Sequence, residues 1–137
     1  MDDYKTTLEI QTRFRDTDAM GHINNSVTLS FLELARMEYV KRVFGVTHFR
    51  DVDFILARAE VDYRSPSFAG ETLVVGVRVV RLGGASFDME YRIEERAEGR
   101  LVAQAKTVQV SYDYKLGKVK RLSEEFVEKV KKYDDIA

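Results

Sequence analysis

The chain has no cysteine, a single proline and two histidines, and its 22 basic and 23 acidic residues leave a formal charge of −1. Without cysteine there is no disulfide, no thiolate nucleophile and no Cys-based zinc site, a usage compatible with a reducing compartment. His22 and His48 stand in no His-x-x-x-His or Glu-x-x-His spacing, so no metal site is expected. No G-x-S-x-G occurs, which excludes a serine hydrolase on motif grounds, and no glycine-rich phosphate loop accompanies the Asp16-x-Asp18 pair that would otherwise suit Mg²⁺. Acids and bases are interspersed, leaving no electrostatic footprint for nucleic acid. No apolar run reaches 18 residues, and MDDYKTTLEI lacks the basic flank and apolar core of a signal peptide. The expectation is a cytoplasmic, soluble protein with neither a membrane nor a nucleic-acid partner.

What is present suits one domain over residues 1–137, with 45% apolar residues and no Pro- or Ser-rich linker. Residues 6–14 alternate, placing Leu8, Ile10, Thr12 and Phe14 on one face of a half-buried strand. From Asn24 or Asn25 to Phe44 there is no Gly or Pro, and apolar residues cover far more than one stripe, which predicts a long helix enclosed by protein on most sides, with Gly45 as its C-cap. A polar connection, VTHFRDVDF, follows. A second alternating run sets Ile55, Ala57, Ala59, Val61 and Tyr63 against Leu56, Arg58, Glu60 and Asp62, with the two alanines suited to close approach of a helix. LVVGVRVVRL reads as a central strand with a bulge or bend at Gly76, Gly83-Gly84 as a hairpin turn, and FDMEYRIE and LVAQAKTVQVSYDY as two further strands. The consecutive strands predict a meander. SEEFVEKVKKYDD predicts a short terminal surface helix capped by Ser123.

Only the junction from Arg13 to Arg36 carries a pattern suited to chemistry. Asp16, Thr17 and Asp18 leave the first strand, Gly21 permits a tight turn, and Asn24 and Asn25 are good N-cap residues for the helix. Unpaired amides and the positive dipole end at a helix N-terminus polarise a carbonyl and favour an ionised carboxylate nearby. An aspartate beside such an amide is a minimal hydrolytic site, although the same residues equally suit capping and turning.

The run D-x-D-x-x-G-H-x-N-N, followed by F-x-E-x-A-R, spans Asp16, Asp18, Gly21, His22, Asn24, Asn25, Phe31, Glu33, Ala35 and Arg36. It resembles the acyl-CoA thioesterases of the 4-hydroxybenzoyl-CoA thioesterase group. The resemblance implies an α+β hotdog fold, a curved antiparallel sheet wrapped around one long central helix; periodicity alone allows an ordinary α+β sandwich. It places the catalytic carboxylate, nucleophile or general base, on Asp18 and the carbonyl-polarising amide near Asn25. Where many relatives have an aromatic residue three positions after the paired Asn, this chain has Thr28. His22 either orients Asp18 or packs under the turn. Substrate contacts are expected from Asn24, Arg58, Arg64, Arg81 and Ser86, with Arg81 the one cation left before Ser86-Phe87, where some relatives carry a basic run. Coenzyme A is then part of the substrate, no separate cofactor is implied, and the expected assembly is a homodimer or homotetramer whose interface forms the active sites, with the loop 64–68 and the turn after Arg81 reaching the partner. The same fold also serves acyl-carrier-protein thioesterases and dehydratases, and a non-catalytic acyl-CoA binder is a third reading.

Overall fold

The computed structural model of the chain describes residues 1–48 and 52–136. Six strands form one antiparallel sheet: β1 (Thr6–Gln11), β2 (Phe54–Tyr63), β3 (Thr72–Leu82), β4 (Ser86–Glu95), β5 (Arg100–Asp113) and β6 (Lys118–Val119). The spatial order is β1-β3-β4-β5-β2, with β6 paired to the end of β5. Two helices accompany it, α1 (Asn25–Phe44) and α2 (Glu124–Asp134). Residues 49–51 of the polar connection after α1 lie outside the described residues.

Helix α1 begins and ends as its sequence dictates. Asn24 is the N-cap, its Oδ1 accepting from the Ser26 amide at 2.9 Å. Gly45 closes the helix in the left-handed region, φ 71°, where a side chain would be strained. Thr28, Phe31, Leu32, Ala35, Arg36, Tyr39 and Val40 form the buried stripe, and they meet Val75, Val77, Met89, Tyr91, Ile93 and Ala103 from the sheet. Full burial of a side chain such as Leu32 contributes about 1.5–3 kcal/mol. The expectation of enclosure on most sides is not met within one chain: Leu29 and Leu34 are 44% and 51% exposed on the opposite flank.

The meander covers β3, β4 and β5 only, because β2 crosses the sheet to pair with β5 instead of β3. That crossing leaves β1 and β2 as the two edges. Phe14 does not continue β1 inward; it opens a 3-10 turn (Phe14–Asp16) and is exposed, since Asp16 pulls the chain round by accepting from the Arg13 amide at 3.0 Å. In β2 the register shifts between Leu56 and Arg58. Directly paired residues share a face, so Phe54 and Leu56, opposite Ser111 and Gln109, point to the helix side, and past the bulge at Ala57 so do Ala59, Val61 and Tyr63. Ile55 is thereby turned to the outer face, against the simple alternation, and Ala57 and Ala59 are exposed rather than packed on a helix.

Gly76 carries no bulge. It pairs in register with Thr7 and Arg92, and the β3 bulge falls further along, between Val79 and Arg81. Its missing Cβ instead makes room for the N-terminal segment: a Cβ there would meet Met1 Sδ at 2.5 Å and Tyr4 Cγ at 2.7 Å. Two predicted details hold, since Gly83 N–H donates to Ser86 O at 2.7 Å in the hairpin turn and Ser123 Oγ caps α2 through the Phe126 amide at 3.1 Å.

The end of α2 clamps the sheet. Asp134 Oδ2 accepts from the Tyr39 hydroxyl at 2.7 Å and from the Val79 amide at 2.9 Å, beside the β3 bulge. Burial, reinforced by Asp134, pushes the Tyr39 phenol far above its ordinary pKa. Asp134→Ala strands both donors, and each unsatisfied buried group costs about 1–3 kcal/mol. Denaturant unfolding of this variant at neutral pH is expected to show a loss of about 2–4 kcal/mol, whereas an unchanged midpoint would mean that water satisfies both donors.

Candidate active site

The motif turn is built from backbone bonds and one buried carboxylate. Asp18 N–H donates to His22 O at 2.8 Å, Gly21 N–H to Asp18 O at 3.1 Å and Asn24 N–H to Asp16 O at 2.8 Å, while Gly21 takes φ 79°. Asp16, 4% exposed, accepts from Arg13 Nη2 at 3.0 Å and Nε at 3.3 Å. The Arg13 guanidinium holds the Asp16 carboxyl below the ordinary aspartate range. Asp16 is therefore committed to the turn. Asp18, two residues on, is exposed, its Oδ1 accepting only the Met20 amide at 2.8 Å among the described residues.

Because the folded-state pKa of Asp16 is lowered, its stabilisation is present above the unfolded aspartate value near 3.9 and is lost as pH falls through the lower folded value. The stability difference between wild type and Asp16→Asn is expected to be largest at neutral pH and to shrink below about pH 4; urea titrations at a series of pH values check this, and a difference independent of pH would contradict it. Asp88, held low first by Arg81 and then by Lys106, works in the same direction.

The start of α1 leaves one amide unspent. Ser26 N–H is taken by the Asn24 side chain, and Val27 and Thr28 donate to Asn24 O at 2.9 and 3.3 Å. The Asn25 N–H has no acceptor among the described residues. Asn25 lines a depression of about 340 Å³ together with Asp18, His22, Thr28, Tyr63 and the loop 64–67. This size suits a small-molecule site. A second cavity of about 350 Å³ lies at the far end of α1 among Phe44, Phe54, Phe87 and Phe126, but its carboxylates Asp53 and Glu125 are ion-paired to Lys120 at 3.1 Å and Lys129 at 3.0 Å, and its Ser123 is spent as a cap.

Of the residues singled out by the sequence, Asp18, His22, Asn25 and Arg64 come together here. The His22 ring meets Phe68 edge-on at 5.3 Å and makes no hydrogen bond to Asp18, so it packs under the turn while its carbonyl holds the Asp18 amide. Asn24 is the helix cap. Arg58 lies on the β2 edge, ion-paired to Glu60. Arg81 and Ser86 sit at the opposite end of the sheet, where Arg81 Nη2 donates to Asp88 at 2.8 Å and to Ser86 Oγ at 3.0 Å. β3 runs from Thr72 beside the Asp18 turn to Leu82 at that far end, and at about 3.3 Å per residue its length exceeds 30 Å. The loop 64–68, expected to reach a partner, lines its own chain's depression, with Ser67 O accepting from Ile23 N–H at 2.8 Å. At this end the sequence offered Tyr63, whose hydroxyl donates to Asn25 O at 2.8 Å, only as a strand residue, and Phe68 only as the end of the loop 64–68. At the other end Arg121 stands over the Gly83-Gly84 turn, 3.5 Å from where a Gly84 Cβ would be. None of the three lies in the sequence motif; only strand pairing brings them in.

The profile of the thioesterase-like superfamily matches residues 12–130. The chain belongs to that superfamily. It is a thioesterase, and its open antiparallel sheet with one main helix is the hotdog fold. The long-chain acyl-CoA thioesterase FadM of Escherichia coli is 28% identical over 89% of this chain and 94% of its own. A 1,4-dihydroxy-2-naphthoyl-CoA hydrolase of Rippkaea orientalis is 27% identical over 96% of each chain. Among solved structures, a Thermus thermophilus thioesterase complexed with coenzyme A and zinc superimposes with a TM-score of 0.91 at 34% identity, covering 100% of this chain and 99% of the other. In the present chain no group of three or more His, Cys, Asp or Glu that could hold a metal ion occurs among the described residues, and no described helix is long and apolar enough to cross a membrane.

Proposed function

We propose that the chain hydrolyses an acyl-CoA to a free carboxylic acid and coenzyme A at the depression between Asp18 and Asn25. The observation that carries this is the unspent amide of Asn25 at a helix N-terminus, in a residue that lines the same depression as the exposed carboxylate Asp18. The thioester carbonyl oxygen accepts from Asn25 N–H, where the helix dipole favours the developing oxyanion. Asp18 then either takes the proton of a water that adds to the carbonyl carbon, the proton passing to the leaving sulfur as the carbon–sulfur bond breaks, or attacks the carbon itself, expelling the thiolate and leaving a mixed anhydride that water hydrolyses to the free acid, the water's proton going to the thiolate. A thioester is activated already, so one carboxylate and one amide suffice. Both named relatives act on acyl-CoA substrates by their names, one long-chain and one aromatic. The test is free-thiol release across a panel of aliphatic and aromatic acyl-CoAs, with turnover expected on at least one and no release on any contradicting the proposal.

Assembly belongs to the same proposal. β2 is an unpaired edge bearing exposed Leu56, Ala57, Ala59 and Tyr63, and such an edge is a template for pairing with a second copy. Pairing two chains side by side brings residues from the far end of one sheet towards the Asp18 end of the other, which gives Arg81 a route to the nucleotide. Arg81→Ala is then expected to raise KM for acyl-CoA roughly tenfold while barely changing hydrolysis of a short thioester lacking the nucleotide. Equal loss on both substrates would make Arg81 the partner of Asp88 and nothing more.

A further inference from the structure

We propose that the tip of the β5–β6 hairpin, residues 114–119, is a docking site for an anionic lipid bilayer surface. The tip is preformed. Tyr112 and Asp113 pair with Val119 and Lys118, Gly117 N–H donates to Asp113 O at 2.7 Å, and Asp113 Oδ1 takes the amides of Lys115 and Leu116 at 2.9 and 3.0 Å. Every residue from 114 to 121 is exposed, and among them the large apolar side chains Tyr114, Leu116 and Val119 are 60%, 66% and 54% exposed. Interleaved with them stand Lys115, Lys118, Lys120 and Arg121, four cations against the single acid Asp113 in residues 112–121, in a chain whose formal charge is −1. Lys120 is paired to Asp53; Lys115 and Lys118 have no acid partner among the described residues.

Charge and shape together select the partner. Exposed apolar side chains at a hairpin tip with lysines around them are what an anionic bilayer takes up: Leu116 and Val119 enter the acyl boundary and the ammonium groups meet phosphates, while Tyr114, its hydroxyl donating to Phe54 O at 3.2 Å, steadies the base of the tip. A lipid surface deforms around an exposed tip, whereas a folded acidic protein needs a matching groove. One hairpin gives weak, reversible attachment, which falls with ionic strength. This inference does not depend on the substrate or on Asp18.

The test is co-sedimentation of the purified protein with phosphatidylcholine vesicles, with and without about 30% phosphatidylglycerol. The bound fraction is expected to be roughly fivefold or more higher on the anionic vesicles and to be lost near 0.5 M salt. The pair Leu116→Ser and Val119→Ser is expected to reduce binding about tenfold, with thiol release, unfolding midpoint and oligomeric mass unchanged. Equal binding to both vesicles overturns the proposal, as does undiminished binding by the variant. A changed oligomeric mass in the variant would identify the tip as a contact between copies, and binding of a small acidic protein without vesicle binding would identify a protein partner; either result also overturns it.

Discussion

Asp18→Asn is expected to lower kcat by roughly 10²-fold or more, the scale of a lost general base or nucleophile. The substitution keeps the shape of the turn, because an asparagine oxygen accepts the Met20 amide as the carboxylate does at 2.8 Å. Folding and oligomeric mass should therefore persist. Binding of an unreactive acyl-CoA analogue should change little, since the carboxylate acts mainly in the transition state. Asp16→Asn is the control: it disturbs the Arg13 contacts and costs stability, yet leaves the chemistry in place once the protein is folded. Wild-type turnover in Asp18→Asn would reduce Asp18 to a turn residue. Loss of fold would transfer the question to Asp18→Glu, which retains the charge and should retain part of the rate.

The second large effect concerns the β2 edge. Leu56 is 48% exposed in the single chain and on the helix-side face, one residue from the bulge at Ala57. Leu56→Asp puts a carboxylate where a second chain would pair, and burying that charge unpaired costs several kcal/mol. Light scattering at micromolar concentration is expected to show a dimer or tetramer for the wild type and a monomer for the variant, with kcat/KM for acyl-CoA reduced by roughly 10² because Arg81 and Ser86 lie too far from Asp18 within one chain. A monomeric wild type would remove the shared-site account, and a monomeric variant with full activity would show that each chain is complete.

The helix and the motif turn were legible because local signals decide them. Asn24 as cap, Gly21 and Gly45 at positive φ, and an uninterrupted run between them act within a few residues. The strict alternation of Phe87, Met89, Tyr91 and Ile93 likewise places all four in the core. What the sequence hid depends on pairing over distance. Nothing local states that β2 crosses to β5, and the bulge at Ala57, which turns Ile55 outward, follows from matching β5. Gly76 read as a bulge or bend because the close approach of Tyr4, which its missing Cβ permits, comes from 72 residues away in the chain. At the site, Asp16 and Asp18 were both eligible carboxylates on spacing. The resemblance pointed to Asp18, and the Arg13 contacts, which engage Asp16, leave Asp18 as the exposed one.

The most direct measurement is a crystal structure with an unreactive acyl-CoA analogue bound. The carbonyl oxygen is expected within about 2.7–3.1 Å of the Asn25 nitrogen, with the Asp18 carboxylate facing the carbonyl carbon directly or through one water. An analogue seated elsewhere, for example in the Phe44–Phe126 cavity, with the Asn25 amide still unspent, would contradict it.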